Sequence, residues 1–149
     1  MTWEGYLLDS EGFLVDVLAQ FPPPELAYSL VDLYFKYVNN LFPLLHRPTF
    51  ERQFKDQLYE QDIWFAGVCI GMFAVASRFS DDPRVVPPNA KTPSGDVEWS
   101  KAGWDYFNMI VDIHRVRKSL FLPSTLYEMQ TFTVRAAYLC CDIDLTYPR

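Results

Sequence analysis

Apolar residues recur along most of this chain at three- and four-residue spacing, the period of a helix with one buried face. Phe13, Leu14, Val17, Leu18 and Phe21 form the first such stripe. Ser10 is placed to cap it and Glu11 to meet the positive end of its dipole, with Gly12 costing about 1 kcal/mol against alanine. Pro22, Pro23 and Pro24 end that helix and make a short rigid connector. A second helix is predicted over residues 25–40, with Leu30, Tyr34 and Val38 on one face. Pro43 stops it, and Pro48 with Thr49, the expected cap, starts a third whose stripe is Phe50, Phe54 and Leu58. Glu51 and Lys55 are spaced to pair on its surface. The turn between them carries Leu41, Phe42, Leu44 and Leu45, so it is expected to lie against a core. His46 and Arg47 are expected to satisfy backbone carbonyls there.

Residues 63–76 are apolar on every side. A membrane span needs about 20 such residues, so this shorter run reads as a buried central helix. Gly67, Gly71 and Ala74 leave room for a neighbouring helix to come close. Residues 79–98 hold Pro83, Pro87, Pro88 and Pro93 and are predicted to be one long loop, with Asp82 able to pair with Arg84. A helix over 99–119 follows, its apolar face supplied by Trp99, Phe107, Ile110, Val111, Ile113 and Val116. After an apolar turn at 120–123, Thr125 and Glu128 have capping-box spacing. They open a last helix with Leu126, Met129, Phe132, Ala136, Leu139 and Cys140 as its stripe. Residues 142–149 show no stripe. The pattern predicts an all-α chain, an irregular bundle of about five to six helices with one long Pro-rich loop and no internal repeat.

Composition agrees with one folded domain over residues 1–149: half the residues are hydrophobic and 17% aromatic. The net charge of -6 excludes the basic footprint by which nucleic-acid binders neutralise phosphates. The densest basic cluster, His114, Arg115, Arg117 and Lys118, reads as the solvated end of a helix. The cysteines Cys69, Cys140 and Cys141 read as reduced thiols, too few for a six-cysteine zinc cluster. The N-terminus lacks the basic, apolar pattern of a targeting signal.

No catalytic constellation emerges. His46 and His114 lack metal-ligand spacing. Cys69 lies in an apolar helix that would raise its thiol pKa. Asp81 and Asp82 before a proline favour a turn over a cation site. No catalytic, cofactor-binding or metal residue is assigned.

Tyr34-Phe35, Val38-Asn39, Phe42-Pro43, Leu45-His46 and Pro48-Thr49-Phe50 resemble the signature of the fungal-specific transcription factor domain, the regulatory middle region of binuclear zinc-cluster regulators. Phe65-Ala66-Gly67-Val68, Ala74 to Val85, Ala102-Gly103-Trp104, Tyr106-Phe107, Arg117 to Phe121, Pro123 to Tyr127 and Gln130 continue the resemblance in order, over about residues 26–141. It implies a non-enzymatic helical module of transcription control in a fungal nucleus. Its partners would be other proteins or the rest of a regulator, with a small molecule as an effector. DNA and zinc binding would belong to a separate region, and neither nucleic acid nor membrane is expected as a partner of this chain. Only the N-terminal part of the regulatory domain is matched, which implies a shortened regulator or truncated gene product. The competing expectations are a small enzyme or ligand-binding protein with a pocket lined by Trp64, Trp99 and Trp104, and a non-functional fragment.

Overall fold

The computed structural model describes the backbone of residues 4–116 and 125–144 and the side chains of residues 12–113 and 125–140. Six α-helices follow in order: α1 (Glu4–Ala19), α2 (Pro24–Tyr37), α3 (Arg47–Lys55), α4 (Ile63–Ser77), α5 (Trp104–Val116) and α6 (Leu126–Asp144). Among the described residues the only strand-like pairing is an isolated bridge between Lys91 and Val97, so the all-α expectation holds.

The most apolar helix becomes the axis of the bundle because a helix without a polar face must be covered all round. Every residue of α4 from Phe65 to Ser77 is buried. Asp62 starts it, its Oδ1 accepting from the Trp64 and Phe65 amides at 2.8 and 3.1 Å. The other helices surround α4, with α6 packed against it most extensively, then α5 and α2. The small residues act as expected. A Cβ on Gly67 would lie 3.1 Å from the Thr131 side chain, and one on Gly71 would lie 2.9 Å from Val134 Cγ1. The Thr131 hydroxyl of α6 donates chiefly to the Tyr127 carbonyl of its own helix at 2.7 Å and also lies 3.2 Å from the Trp64 carbonyl of α4, where the two helices touch.

Several boundaries differ from the sequence reading. The helical backbone of α1 already runs through Ser10, so the helix starts earlier than that candidate cap. α2 ends at Tyr37, well before Pro43. Asn39 makes the turn: its Nδ2 donates to the Leu45 carbonyl at 2.9 Å and its Oδ1 accepts from the Leu45 amide at 3.0 Å. The carbonyl role expected of His46 and Arg47 thus falls to Asn39. Only part of this apolar turn is covered: Leu45 is buried, but Leu41 and Phe42 are 74% and 72% exposed. His46, not Thr49, is the N-cap residue of α3, and its Nδ1 lies 2.8 Å from Thr49 Oγ1. Glu51 pairs backward with Arg47 at 2.6 Å instead of forward with Lys55, because Arg47 lies between Glu51 and Asp32, which it also contacts. Leu58 leaves the stripe of α3 for a separate 3-10 turn.

The helix expected over 99–119 is broken. Trp99–Lys101 is a 3-10 turn, Gly103 has φ +79°, and α5 begins at Trp104. A Cβ on Gly103 would lie 2.3 Å from the Ala74 carbonyl oxygen, so glycine there lets α5 dock on α4. Thr125 does cap α6, accepting from the Glu128 amide at 3.2 Å.

The largest correction concerns the stripe of α6. Leu126, Met129, Phe132 and Leu139 are 69%, 56%, 44% and 46% exposed, and Ala136 and Cys140 are exposed too. The buried face is the opposite one, with Thr131, Val134 and Tyr138 at 0–1% exposure. Tyr138 donates its hydroxyl to the Ala102 carbonyl at 3.0 Å, and its ring takes the Arg78 guanidinium at 4.5 Å and stacks on Phe107 at 4.8 Å. The basic cluster, the 120–123 turn and the Cys141 side chain lie outside the described residues, as does the tail beyond Asp144.

Candidate functional site

Three consecutive prolines fix the passage from α1 to α2. Pro24 opens α2, where a missing amide proton costs nothing, and Pro23 is its N-cap residue. Phe21, just before them, packs its ring edge-on to Phe73 of α4 at 5.5 Å and beside Tyr59 at 4.9 Å.

Opposite the prolines runs the segment that leaves α4. Asp82 accepts from the Arg84 amide at 2.9 Å, and the Arg84 guanidinium folds back on both carboxylate oxygens at 2.7 to 3.1 Å. The same guanidinium reaches Glu25 in the first turn of α2 at 2.9 Å. Asp82–Arg84–Glu25 is thus an ionic clasp between the long loop and α2. The Arg84 hydrogen bonds hold the Asp82 and Glu25 carboxyls below their ordinary pKa values, and those carboxylates raise that of Arg84. The expected pairing of Asp82 with Arg84 is present; its extension to Glu25 was not legible from spacing.

Between these two walls and α5 lies a cleft of about 790 Å³, within the size range of small-molecule sites. Its floor is apolar: Leu26, Val85, Val86 and Met109 are all buried. Tyr106 adds a buried phenol whose pKa is pushed up to about 12, chiefly by desolvation, so it stays protonated at neutral pH. Asp105, Asp112, Asn108, Gln20 and Arg84 stand at the lip. Among the described lining residues the one cation, Arg84, is engaged by two carboxylates, and Asp105 stands at the opening.

Trp64, Trp99 and Trp104 line neither this cleft nor the smaller one on the other side of Phe21. The long loop does contribute, through Pro83 to Val86. Tyr106 and Met109 were missed, although their spacing with Ile113 is a second apolar row on α5. Cys69 is fully buried and its thiol pKa is raised well above 9.0 by desolvation. His46 is exposed at the entry to α3, and Asp81 is exposed. Among the described residues no three His, Cys, Asp or Glu side chains form a metal-binding group, and no helix is long and apolar enough to cross a membrane.

Two curated relatives share the label "ABC-transporter-regulating transcription factor". One, from Aspergillus oryzae, is 35% identical over 91 residues, and one from Aspergillus fumigatus is 34% identical over 91 residues. Each alignment covers 58% of this chain and 10% of the relative, so the chain spans about a tenth of the length of the regulators it matches. No solved structure matches. The fungal specific transcription factor domain matches residues 31–142, from within α2 to the last turn of α6 and across the central α4. A match over that much of the chain, in the order of its helices, makes this protein a member of the fungal specific transcription factor domain family.

Proposed function

We propose that the chain is a regulatory module of fungal transcription control, working in the nucleus as part of, or together with, a larger regulator. The observation that carries this reading is the family match across α2 to α6. The module is non-enzymatic: Cys69 is sealed in α4, and His46 is a surface group held by Thr49. DNA contact belongs to a separate region, consistent with the net charge of -6. Genes for ABC transporters are the first target class to examine, because that is what the relatives' names specify.

A reporter assay tests the reading. The chain is fused to a heterologous DNA-binding domain and activation domain in a fungal host. Reporter output should differ several-fold from that of the same fusion lacking residues 31–142. Equal output from the two fusions overturns the proposal.

The cleft beside the prolines is the effector site in this reading. Its apolar floor and the Asp105 carboxylate at its opening suit a lipophilic neutral or cationic molecule. Fluorescence anisotropy with rhodamine 6G as the cationic probe and fluorescein as the anionic one checks the charge preference. Rhodamine 6G should bind saturably and lose affinity in Met109→Lys. Equal binding of both dyes, or a wild-type affinity in the variant, refutes the site.

A further inference from the structure

Most polar side chains that line the cleft beside the prolines are exposed: Gln20, Arg84, Asp105, Asn108 and Asp112. Tyr106 of α5 is different. It is 8% exposed, and its ring packs on Phe73 of α4 with centroids 5.8 Å apart. Tyr138, also buried, gives its hydroxyl to the Ala102 carbonyl. The Tyr106 hydroxyl makes no hydrogen bond among the described residues. Its oxygen is not sealed from solvent either, so it meets the space that the residue lines. The charges it feels are those of Asp105, Asp82 and Arg84, which places the hydroxyl end of the ring toward the ionic clasp and the lip. Tyr34 is a second buried tyrosine without such a partner, but it lines neither this cleft nor the one beyond Phe21.

We infer that Tyr106 selects the effector, its hydroxyl donating to a carbonyl oxygen on a neutral lipophilic molecule seated against Leu26, Val85, Val86 and Met109. This rests on the reading of the cleft as the effector site and adds which polar group the effector carries. Desolvation keeps the phenol protonated, so it is available as a donor at neutral pH. The other donors of the cleft are engaged or stand at its rim. Arg84 is turned onto the Asp82 and Glu25 carboxylates, Gln20 reaches the Asp16 carbonyl of its own helix, and Asn108 is exposed. A molecule that covers the apolar floor displaces the water that serves the Tyr106 hydroxyl. If it brings no acceptor, a buried donor is stranded; if it brings one, the bond forms where water no longer competes. Sites of this kind reject the analogue that lacks the polar group far more strongly than they sense an extra methylene. The ring is already packed on Phe73 before anything binds, so little freedom is lost in aiming the hydroxyl.

Fluorescence titration of the whole chain with two matched dyes tests this. One is Prodan, a neutral naphthyl ketone; the other is its analogue with a propyl chain in place of the propionyl group. Prodan should bind wild type saturably and bind Tyr106→Phe about tenfold more weakly. The propyl analogue should bind Tyr106→Phe no more weakly than wild type. Met109→Lys, which crowds the floor, should weaken both dyes. Because the hydroxyl has no partner inside the fold, Tyr106→Phe should unfold in urea at a midpoint no lower than that of wild type. Saturable, Met109-dependent binding of Prodan with the same affinity in Tyr106→Phe overturns this inference and leaves the effector site standing. So does an equal loss for both dyes, which would report the shape of the cleft and not a hydrogen bond. A lowered urea midpoint would mean the hydroxyl serves the fold, and overturns it too. Neither dye binding saturably, or binding untouched by Met109→Lys, overturns the effector site and this inference with it.

Discussion

Replacing Gly103 with alanine puts a methyl carbon 2.3 Å from the Ala74 carbonyl oxygen and 3.0 Å from its carbonyl carbon and Cα. These are backbone atoms in the last turn of the buried α4, so no side chain can rotate away. Two costs add. A residue with a Cβ held at φ +79° loses about 1–2 kcal/mol in the left-handed region. Relieving the overlap means lifting the start of α5 off α4, and overpacking of a filled core costs about 1–3 kcal/mol. That displacement also strains the hydrogen bond from the Gly103 amide to the Val85 carbonyl at 2.8 Å, and that from Tyr138 to Ala102 at 3.0 Å. Each of these is worth about 1 kcal/mol net. Gly103→Ala should therefore lose about 3–5 kcal/mol, a large share of the 5–15 kcal/mol typical of a whole domain.

Urea unfolding followed by far-ultraviolet circular dichroism measures the loss, and three companions separate its causes. Asparagine tolerates the backbone angle but keeps the overlap, so Gly103→Asn should still lose most of the stability. Gly71→Ala meets side chains and no backbone, Val134 Cγ1 at 2.9 Å and Ile110 Cδ1 at 3.4 Å, and gains about 1 kcal/mol of helix propensity, so it should lose about 0–2 kcal/mol. Gly12→Ala has nothing within 4 Å and should gain up to about 1 kcal/mol. A Gly103→Ala loss under about 1 kcal/mol would refute the close docking of α5 on α4. A harmless Gly103→Asn would show that the angle, not the contact, sets the cost.

Asn39→Asp keeps the acceptor for the Leu45 amide but sets a carboxylate oxygen against the Leu45 carbonyl; thermal unfolding should show a loss of about 1–3 kcal/mol. An unchanged melting temperature would mean that the α2–α3 turn is not held by this residue. Tyr138→Phe strips the Ala102 carbonyl of its buried donor and should cost about 1–2 kcal/mol in urea, with unchanged helix content. The Asp82–Arg84–Glu25 clasp makes stability depend on pH: the folded carboxyl pKa values lie below the ordinary 3.8 and 4.5. Its contribution is therefore present above those ordinary values and is lost as pH falls through the lowered ones. The advantage of wild type over Arg84→Met should be small, largest above about pH 5, and should shrink on acidification; a constant advantage would sink the assignment.

What the sequence could and could not specify divides along a physical line. α4 was legible because a run apolar on every side has one solution in water, burial on every side. Its small residues were legible for the same reason, since only a neighbouring helix explains glycine where helix propensity is lost. The break at Gly103 was not legible, because the period of apolar residues continues on both sides of it. The cause is the Ala74 carbonyl, a group far away in sequence. The cleft stayed hidden likewise: its walls come from residues 20–26, 83–88 and 105–112, and no local spacing joins them.

The α6 reading failed in a more informative way. Periodicity finds an apolar stripe but does not say which body of protein the stripe meets. The helix has two usable faces. The one against α4 is built from Thr131, Val134 and Tyr138; the hydroxyls of Thr131 and Tyr138 are satisfied by the Tyr127, Trp64 and Ala102 carbonyls, so these two read as surface residues in the sequence. The stripe of Leu126, Met129 and Leu139 carries the stronger apolar signal and faces outward. Apolar period alone therefore leaves two faces of this helix open as the buried one, and the packing on α4 selects the face with the weaker signal.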